Sequence, residues 1–127
     1  MKRLLSLLAL CVVAPLANAF NLGTYYQELL FTQYDALHDD AVFAAEYVAT
    51  SPSQTAYYNG QAVALGAASV IIWGHIDSGT FTTYLTQQRD CALYQAAYYA
   101  STANEVAYWN GVAQGYAIAL VRVSWLN

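Results

Sequence analysis

The residues that could do chemistry are few, and most of them stand in one short stretch. His38 lies among three carboxylates, Asp35, Asp39 and Asp40, and imidazole with carboxylate oxygens is a donor set that metal ions accept. Asp35 and His38 are three residues apart and can share a helical face. A metal centre in a helical bundle, however, draws inward-facing ligands from several helices. The stretch therefore predicts a solvated acidic face, with no metal ion and no cofactor.

Nucleophilic catalysis has little support. A catalytic thiol at Cys91 would need a histidine and an orienting group beside it, and neither His38 nor His75 has a spacing that predicts such a contact. The sequence has no paired Glu residues, no phosphate-binding loop and no CxxC motif. We therefore predict that the protein is not an enzyme and assign no catalytic residue.

Residues 1–19 have the pattern of a secretory signal peptide. Two bases, Lys2 and Arg3, precede an apolar run and an Ala-Asn-Ala sequence that ends at Ala19, as in exported precursors. The apolar run is too short for a comfortable membrane span. Cleavage after Ala19 would leave a domain at residues 20–127, located in the periplasm or secreted.

The predicted mature chain is strongly acidic. Arg89 and Arg122 stand against eight carboxylates, which gives residues 20–127 a net charge of −6. Such a surface cannot neutralise a run of phosphates, so nucleic acid is not expected as a partner, whereas a basic protein is. The remaining cysteine, Cys91, either pairs between chains or is buried as a small apolar residue, and burial is the commoner outcome.

Proline, glycine and short polar stretches divide the chain into four predicted helices. The first spans about residues 24–50, and its apolar positions recur at helical spacing. The positions on this apolar stripe are Leu30, Tyr34, Leu37, Ala41, Ala44 and Val48. Side chains that can accept a hydrogen bond from the first turn precede the other three helices. The candidate caps of the second, third and fourth helices are, in order, Ser51 or Ser53, Ser78 or Thr80, and Asn104.

The two halves of the chain are similar at a shift of fifty-one residues. Residues 40–60 align without gaps with residues 91–111, and eight of these twenty-one positions are identical. The aligned segments end in AYYNG and AYWNG respectively. We predict an all-α, four-helix bundle-like domain built from two duplicated αα-hairpins, with repeat halves at about residues 24–74 and 78–125.

Small residues recur every four positions on the second and fourth predicted helices, which gives each helix a smooth ridge. The sequence therefore predicts that these helices cross closely at Gly60 and Gly111, with Gly115 on the same ridge. Membrane helices also use such ridges. The longest continuously apolar part of the second helix has only twelve residues, so stable membrane insertion is not predicted.

Tyrosine is the most over-represented residue type, with twelve in the chain, several of them in adjacent pairs. Neighbours on a helix point about 100° apart, so one ring of a pair can enter the core while the other faces outward. Tyr and Trp are enriched in protein interfaces because they combine a large apolar area with a polar tip. The residues predicted to contact a protein partner are Tyr58, Tyr99, Trp109, Asp35, Asp39 and Asp40.

The segment AYWNGVAQGYAIAL carries an aromatic residue, a Gly-Val pair, a small residue and a second aromatic at fixed spacing. These residues are Tyr108, Gly111, Val112, Gly115 and Tyr116. On a late helix of a short chain with a signal peptide, the pattern resembles the periplasmic immunity proteins of type VI secretion. Those small helical proteins, often dimeric, bind and block amidase toxins that cleave peptidoglycan. The resemblance implies an inhibitor of a wall-degrading toxin, and a homodimer. Together with the acidic surface, it predicts a basic toxin or hydrolase as the partner.

Two other functions stay open at this point. A holdase chaperone of the cell envelope would lose compactness and expose apolar surface as its carboxylates became protonated. A carrier would instead hold a small apolar ligand in a bundle core lined by Tyr and Trp.

Overall fold

The computed structural model describes residues 19–126, so the predicted signal peptide lies outside the described residues except for its last position. The helices have the following bounds: α1, Gly23–Phe43, continued by a π-helical turn at Ala44–Val48; α2, Pro52–Ile71, continued by a 3₁₀ turn at Ile72–Gly74; α3, Ser78–Tyr98; and α4, Ala103–Ser124. The predicted all-α, four-helix domain is confirmed. None of the described helices is both long and apolar enough to cross a membrane.

The α2 and α4 helices begin with the same capping arrangement. Ser51 Oγ accepts a hydrogen bond from the Gln54 N–H, and Thr102 Oγ1 accepts one from the Glu105 N–H, each at 3.1 Å. In return, Gln54 and Glu105 each accept a hydrogen bond from the backbone N–H just before the cap, at 2.7 and 2.8 Å. These are variants of the capping box, and their residues are fifty-one positions apart.

The predicted cap of α3 is wrong. Asp77 caps this helix, because its Oδ1 accepts a hydrogen bond from the Gly79 N–H at 2.6 Å. Ser78 and Thr80 lie one and three positions later, inside the first turn. The Ser78 hydroxyl instead accepts a hydrogen bond from the Phe20 N–H at 2.7 Å, which attaches the segment before α1 to the start of α3.

Asn104 does not cap α4, because it already lies within the first helical turn, after the Thr102 cap. Its Oδ1 accepts a hydrogen bond from the Ser53 Oγ at 2.8 Å. Ser53 holds the same place in α2, so this bond joins equivalent positions and brings the two hairpin turns together. We call this end of the domain, formed by residues 43–53 and 94–104, the turn end.

The first helix of each hairpin also ends in a similar way. The Ala49 N–H donates to the Ala44 carbonyl at 2.8 Å, and the Ala100 N–H donates to the Gln95 carbonyl at 2.9 Å. Both bonds span five residues, one more than an α-helical bond. In α1 the bond belongs to a π-helical turn, whereas in α3 the Gln95 carbonyl also accepts an α-helical bond from the Tyr99 N–H. The repeat is thus present in hydrogen bonding as well as in residue identity.

The α2 and α4 helices form the most extensive pair, with α1 packed on α2 and α3 packed on α4. At the crossing the two backbones touch. A Cβ at Gly60 would collide with the Tyr108 carbonyl oxygen, and a Cβ at Gly111 would collide with the Tyr57 carbonyl oxygen. A Cβ at Gly115 would lie 2.8 Å from a backbone oxygen of α2. These glycines therefore permit an approach that no larger residue would allow.

The buried positions of the two hairpins correspond at the same shift. The paired buried residues are Leu30 and Phe81, Tyr34 and Leu85, Ala41 and Ala92, Ala62 and Ala113, Leu65 and Tyr116, Ala68 and Ala119, and Ile72 and Val123. Tyr34 reaches from α1 across to α4, where its hydroxyl donates to the Ala119 carbonyl at 2.9 Å in a buried hydrogen bond. The core is therefore shared by both hairpins.

Candidate protein-binding surface

The turn end presents exposed aromatic and apolar side chains from both hairpins. Tyr47 is 72% exposed, and Tyr99 is 64% exposed. Tyr98, the equivalent of Tyr47, is also exposed, and its ring centroid lies 5.0 Å from that of the largely buried Tyr94. On the other hairpin, Phe43 packs against Tyr47 with ring centroids 4.9 Å apart. Two pairs of rings thus lie at one end of the domain.

The exposure of this end follows from how α1 finishes. Continued α-helical spacing predicts that Ala44 and Val48 face the core, but the structure buries Ala45 and leaves Val48 half exposed. A π-type turn accommodates one extra residue, which rotates the last side chains away from the preceding stripe. The chain then leaves the helix at Ala49. The sequence prediction for the last two stripe positions is therefore wrong.

The predicted carboxylates lie on the outside of α1. Asp35, Asp39 and Asp40 are all exposed, and the Asp39 Oδ1 lies 3.1 Å from the His38 Nδ1. No Lys or Arg occurs anywhere in α1. This face therefore carries negative charge that the helix itself does not compensate.

Asp35, His38 and Asp39 are also the residues that come closest to a metal-binding arrangement among those described. One potential ligand atom from each lies within 4.8 Å of the others. All three come from one helix and lie at or near the surface, where acidic groups often cluster without an ion. Because a bundle metal centre uses ligands from several helices, this geometry fits a solvated acidic face better.

The three predicted aromatic contacts differ in exposure. Tyr99 faces solvent at the turn end, with its ring 5.4 Å from that of Tyr94. Tyr58 and Trp109 hold equivalent positions on α2 and α4, but both are only partly exposed. Trp109 packs against the buried core. Of these three rings, only Tyr99 offers most of its surface to a partner.

Cys91 is exposed, so the expectation that it would be buried is wrong. It lies on the outer side of α3 and lines a groove of about 280 Å³ with Val63, Trp109 and Tyr116 among others. This groove is open and lies at the lower end of the volumes typical of ligand sites. The interior that a ligand carrier would need is occupied by packed side chains such as Leu65.

Three tyrosines, Tyr34, Tyr94 and Tyr116, have phenol pKa values above the ordinary value. A hydrogen bond with Tyr99, together with the neighbouring tyrosines, raises the pKa of Tyr94 to about 12. Burial raises the pKa of Tyr116 to about 12 and raises the pKa of Tyr34 well above its ordinary value. These three phenols are therefore neutral hydrogen-bonding groups at physiological pH.

Comparisons with known proteins gave no significant match to a family model, a curated protein or a solved structure. Sequence reasoning missed Phe43 and Tyr47 as surface aromatics. The repeat could have indicated Tyr47, because Tyr47 aligns with Tyr98, which is next to the predicted contact Tyr99.

Proposed function

We propose that this protein is an exported, non-enzymatic helical protein that binds another protein, and that its partner is basic. The observation that carries the proposal is the group of exposed aromatic rings at the turn end, beside the acidic outer side of α1. Clustered, exposed apolar side chains often mark interaction sites. Tyr and Trp are also over-represented among the residues that dominate binding energy.

More specifically, we propose a periplasmic immunity function, in which the protein inhibits a wall-degrading toxin. The resemblance at residues 108–116 and the net charge of −6 support this assignment. Gly111 and Gly115 of that segment face the α2 backbone, so these two positions serve helix packing. The toxin would then be contacted elsewhere, and the turn end is the surface with the side chains to do it.

The test is affinity capture with residues 20–127 as bait, using envelope and secreted extracts, followed by identification of the captured proteins by mass. The expected result is one stoichiometric basic partner whose wall-cleaving activity falls on binding. Tyr99→Ala should weaken capture, whereas Val70→Ala, an equally exposed change near the other end of α2, should not.

Three results would count against the proposal. Many weak partners that bind only at low pH would indicate a holdase chaperone. A small molecule that copurifies with the protein would indicate a carrier. If neither variant alters capture of a single partner, the protein binds that partner through a surface other than the turn end.

A further inference from the structure

The outer face of α1 combines aromatic rings with a row of carboxylates. We define this α1 outer face by its exposed residues: Tyr25, Glu28, Asp35, Asp39, Phe43, Glu46 and Tyr47. Glu28, Asp35 and Asp39 are spaced by seven and four residues, which keeps them on one side of α1, and Glu46 follows them in the π-helical turn at the end of the helix. At 1.5 Å per residue the row extends over about 27 Å.

Aromatic rings lie at both ends of this carboxylate row. Tyr25 is 73% exposed at one end, and Phe43 and Tyr47 are 58% and 72% exposed at the other. Phe31 adds a partly exposed ring along the border, 5.5 Å from the ring of Trp73. The described helices leave more than half of each of these end rings exposed, so each end of the row carries an exposed apolar patch.

The negative charge of this face has no arginine counterpart within the described domain. Arg89 contacts its neighbour Asp90 at 3.0 Å, and the Arg122 guanidinium lies 4.4 Å from the centre of the Trp125 ring. Residues 20–88 contain no Lys or Arg. Any arginine or lysine that pairs with this face would therefore have to come from another molecule.

The second hairpin lacks this combination. The positions equivalent to the four carboxylates are, in order, Gly79, Thr86, Asp90 and Ala97. Only one of them is acidic, and it is buried beside Arg89. The duplicated fold therefore does not itself require the row, which belongs to α1 alone.

We infer that the α1 outer face is the docking surface for a cationic amphipathic segment of the partner protein, an inference that rests on the proposed function. Lys or Arg side chains of that segment would pair with the carboxylate row, and apolar side chains would pack on the rings at its ends. A second copy of this chain would place like charges together, which disfavours association. Charge complementarity therefore selects a basic segment, about eighteen residues long if helical.

The probe is a fluorescent eighteen-residue peptide with Lys on one helical face and Leu on the other, measured by anisotropy against residues 20–127 at low and moderate salt. Two peptides of equal length serve as comparisons: one has Glu in place of Lys, and one keeps the Lys residues but has Ser in place of Leu. We expect the Lys–Leu peptide to bind at least tenfold more tightly than either, with an affinity that falls as salt is raised.

Two variants locate the site. Neutralising all four carboxylates by E28Q, D35N, D39N and E46Q should lower affinity at least tenfold and flatten the salt dependence. F43A with Y47A should lower it several-fold. The matched control is Val70→Ala, which shortens an exposed apolar side chain near the other end of α2 and should change affinity less than twofold. Circular dichroism and the Tm of each variant establish that it is folded.

The inference is overturned if the Lys–Leu peptide does not bind, or if the four-carboxylate variant binds it as well as the parent. It is also overturned if the Ser-containing peptide binds equally well, because the aromatic rings would then contribute nothing. If a natural partner is captured and binds the four-carboxylate variant as tightly as the parent, the docking site on α1 is wrong, but the proposed function is not affected. If the peptide binds at α1 but no protein is captured from the extracts, the result would instead contradict the proposed function.

Discussion

The Ser53 hydroxyl donates a hydrogen bond to the Asn104 side-chain oxygen at 2.8 Å, and these two residues are equivalent positions of the repeat. A contact between equivalent positions lies close to the axis that relates them. The same relation holds at the crossing, where Gly60 meets the backbone of residue 108 and Gly111 meets that of residue 57. The hairpins are therefore related by an approximate twofold axis that passes between α2 and α4.

Substitution of either glycine at the crossing of α2 and α4 should strongly destabilise the folded protein. Gly60→Ala and Gly111→Ala each place a methyl group against a backbone oxygen of the opposite helix. We expect a loss of at least about 2 kcal/mol in the free energy of unfolding, since overpacking of this kind costs about 1–3 kcal/mol and here the obstacle is backbone. Urea unfolding measures the change.

Gly66→Ala provides the matched control within α2. Its new methyl group would lie 3.3 Å from the His38 ring, which is a side chain and can move. Alanine also has a helix propensity about 1 kcal/mol better than glycine. We expect Gly66→Ala to alter stability by no more than about 1 kcal/mol. Similar effects of all three substitutions would contradict close packing at the crossing.

The caps of α2 and α4 should contribute equally to the stability of the folded protein. Ser51→Ala and Thr102→Ala each remove an acceptor for an N–H of the first turn, and such a change typically costs about 1 kcal/mol. Thermal unfolding should show two similar decreases in Tm. Asn104→Ala, at the position predicted to cap α4, should have a smaller effect because it loses only the exposed bond to Ser53.

Tyr34 should make the protein sensitive to alkaline pH. Burial raises the pKa of its phenol in the folded state, whereas an unfolded chain ionises tyrosine near pH 10. The contribution of the protonated phenol to the free energy of unfolding is therefore fully present below about pH 10. As the pH rises further, the free energy of unfolding falls by up to about 1.4 kcal/mol per pH unit for each proton that the folded state retains. Urea unfolding between pH 9 and 11.5 measures this slope.

Tyr34→Phe should reduce that slope, and at neutral pH it should cost about 1 kcal/mol through the lost hydrogen bond to Ala119. Tyr25→Phe, at an exposed ring, is the comparison and should leave the neutral-pH stability nearly unchanged. An identical alkaline slope in the parent and in Tyr34→Phe would show that Tyr34 does not control the transition.

The predicted contact residues should separate into binding and packing roles. Tyr99→Ala removes a ring that is mostly in solvent, so stability should change by less than about 1 kcal/mol. Trp109→Ala removes a ring packed on the core and should cost about 2 kcal/mol or more. Denaturant midpoints for the two variants check this difference. Equal losses would mean that Tyr99 is part of the packing.

The fold was predictable because its signals are local and occur twice. Helical spacing, Pro52 and the fifty-one-residue shift together predicted the four helices and their pairing. The glycines of the AYYNG and AYWNG segments predicted where α2 and α4 meet, since a helical glycine costs stability unless something needs the space. Ser51 was predictable as a cap because Pro52 follows it.

The remaining features depend on geometry that spacing does not contain. Asp77 and Thr102 precede the predicted caps by one or two residues, an error within the usual uncertainty of helix ends. The wide turn after Phe43 changes which side chains face solvent, and no residue type in that segment predicts such a turn. The exposure of Cys91 depends on where α3 sits against α4, which is a tertiary property.

The reciprocal contacts at Gly60 and Gly111 have a consequence for the architecture of this domain. Each glycine packs against the backbone of the opposite half. Two identical subunits make the same kind of reciprocal contact across a twofold dimer interface. The chain therefore has the arrangement of a hairpin dimer whose two halves are joined by residues 75–77. The two copies differ in where they place acidic groups: α1 carries an outward row of carboxylates, whereas α3 has a single aspartate at the equivalent positions, buried beside an arginine.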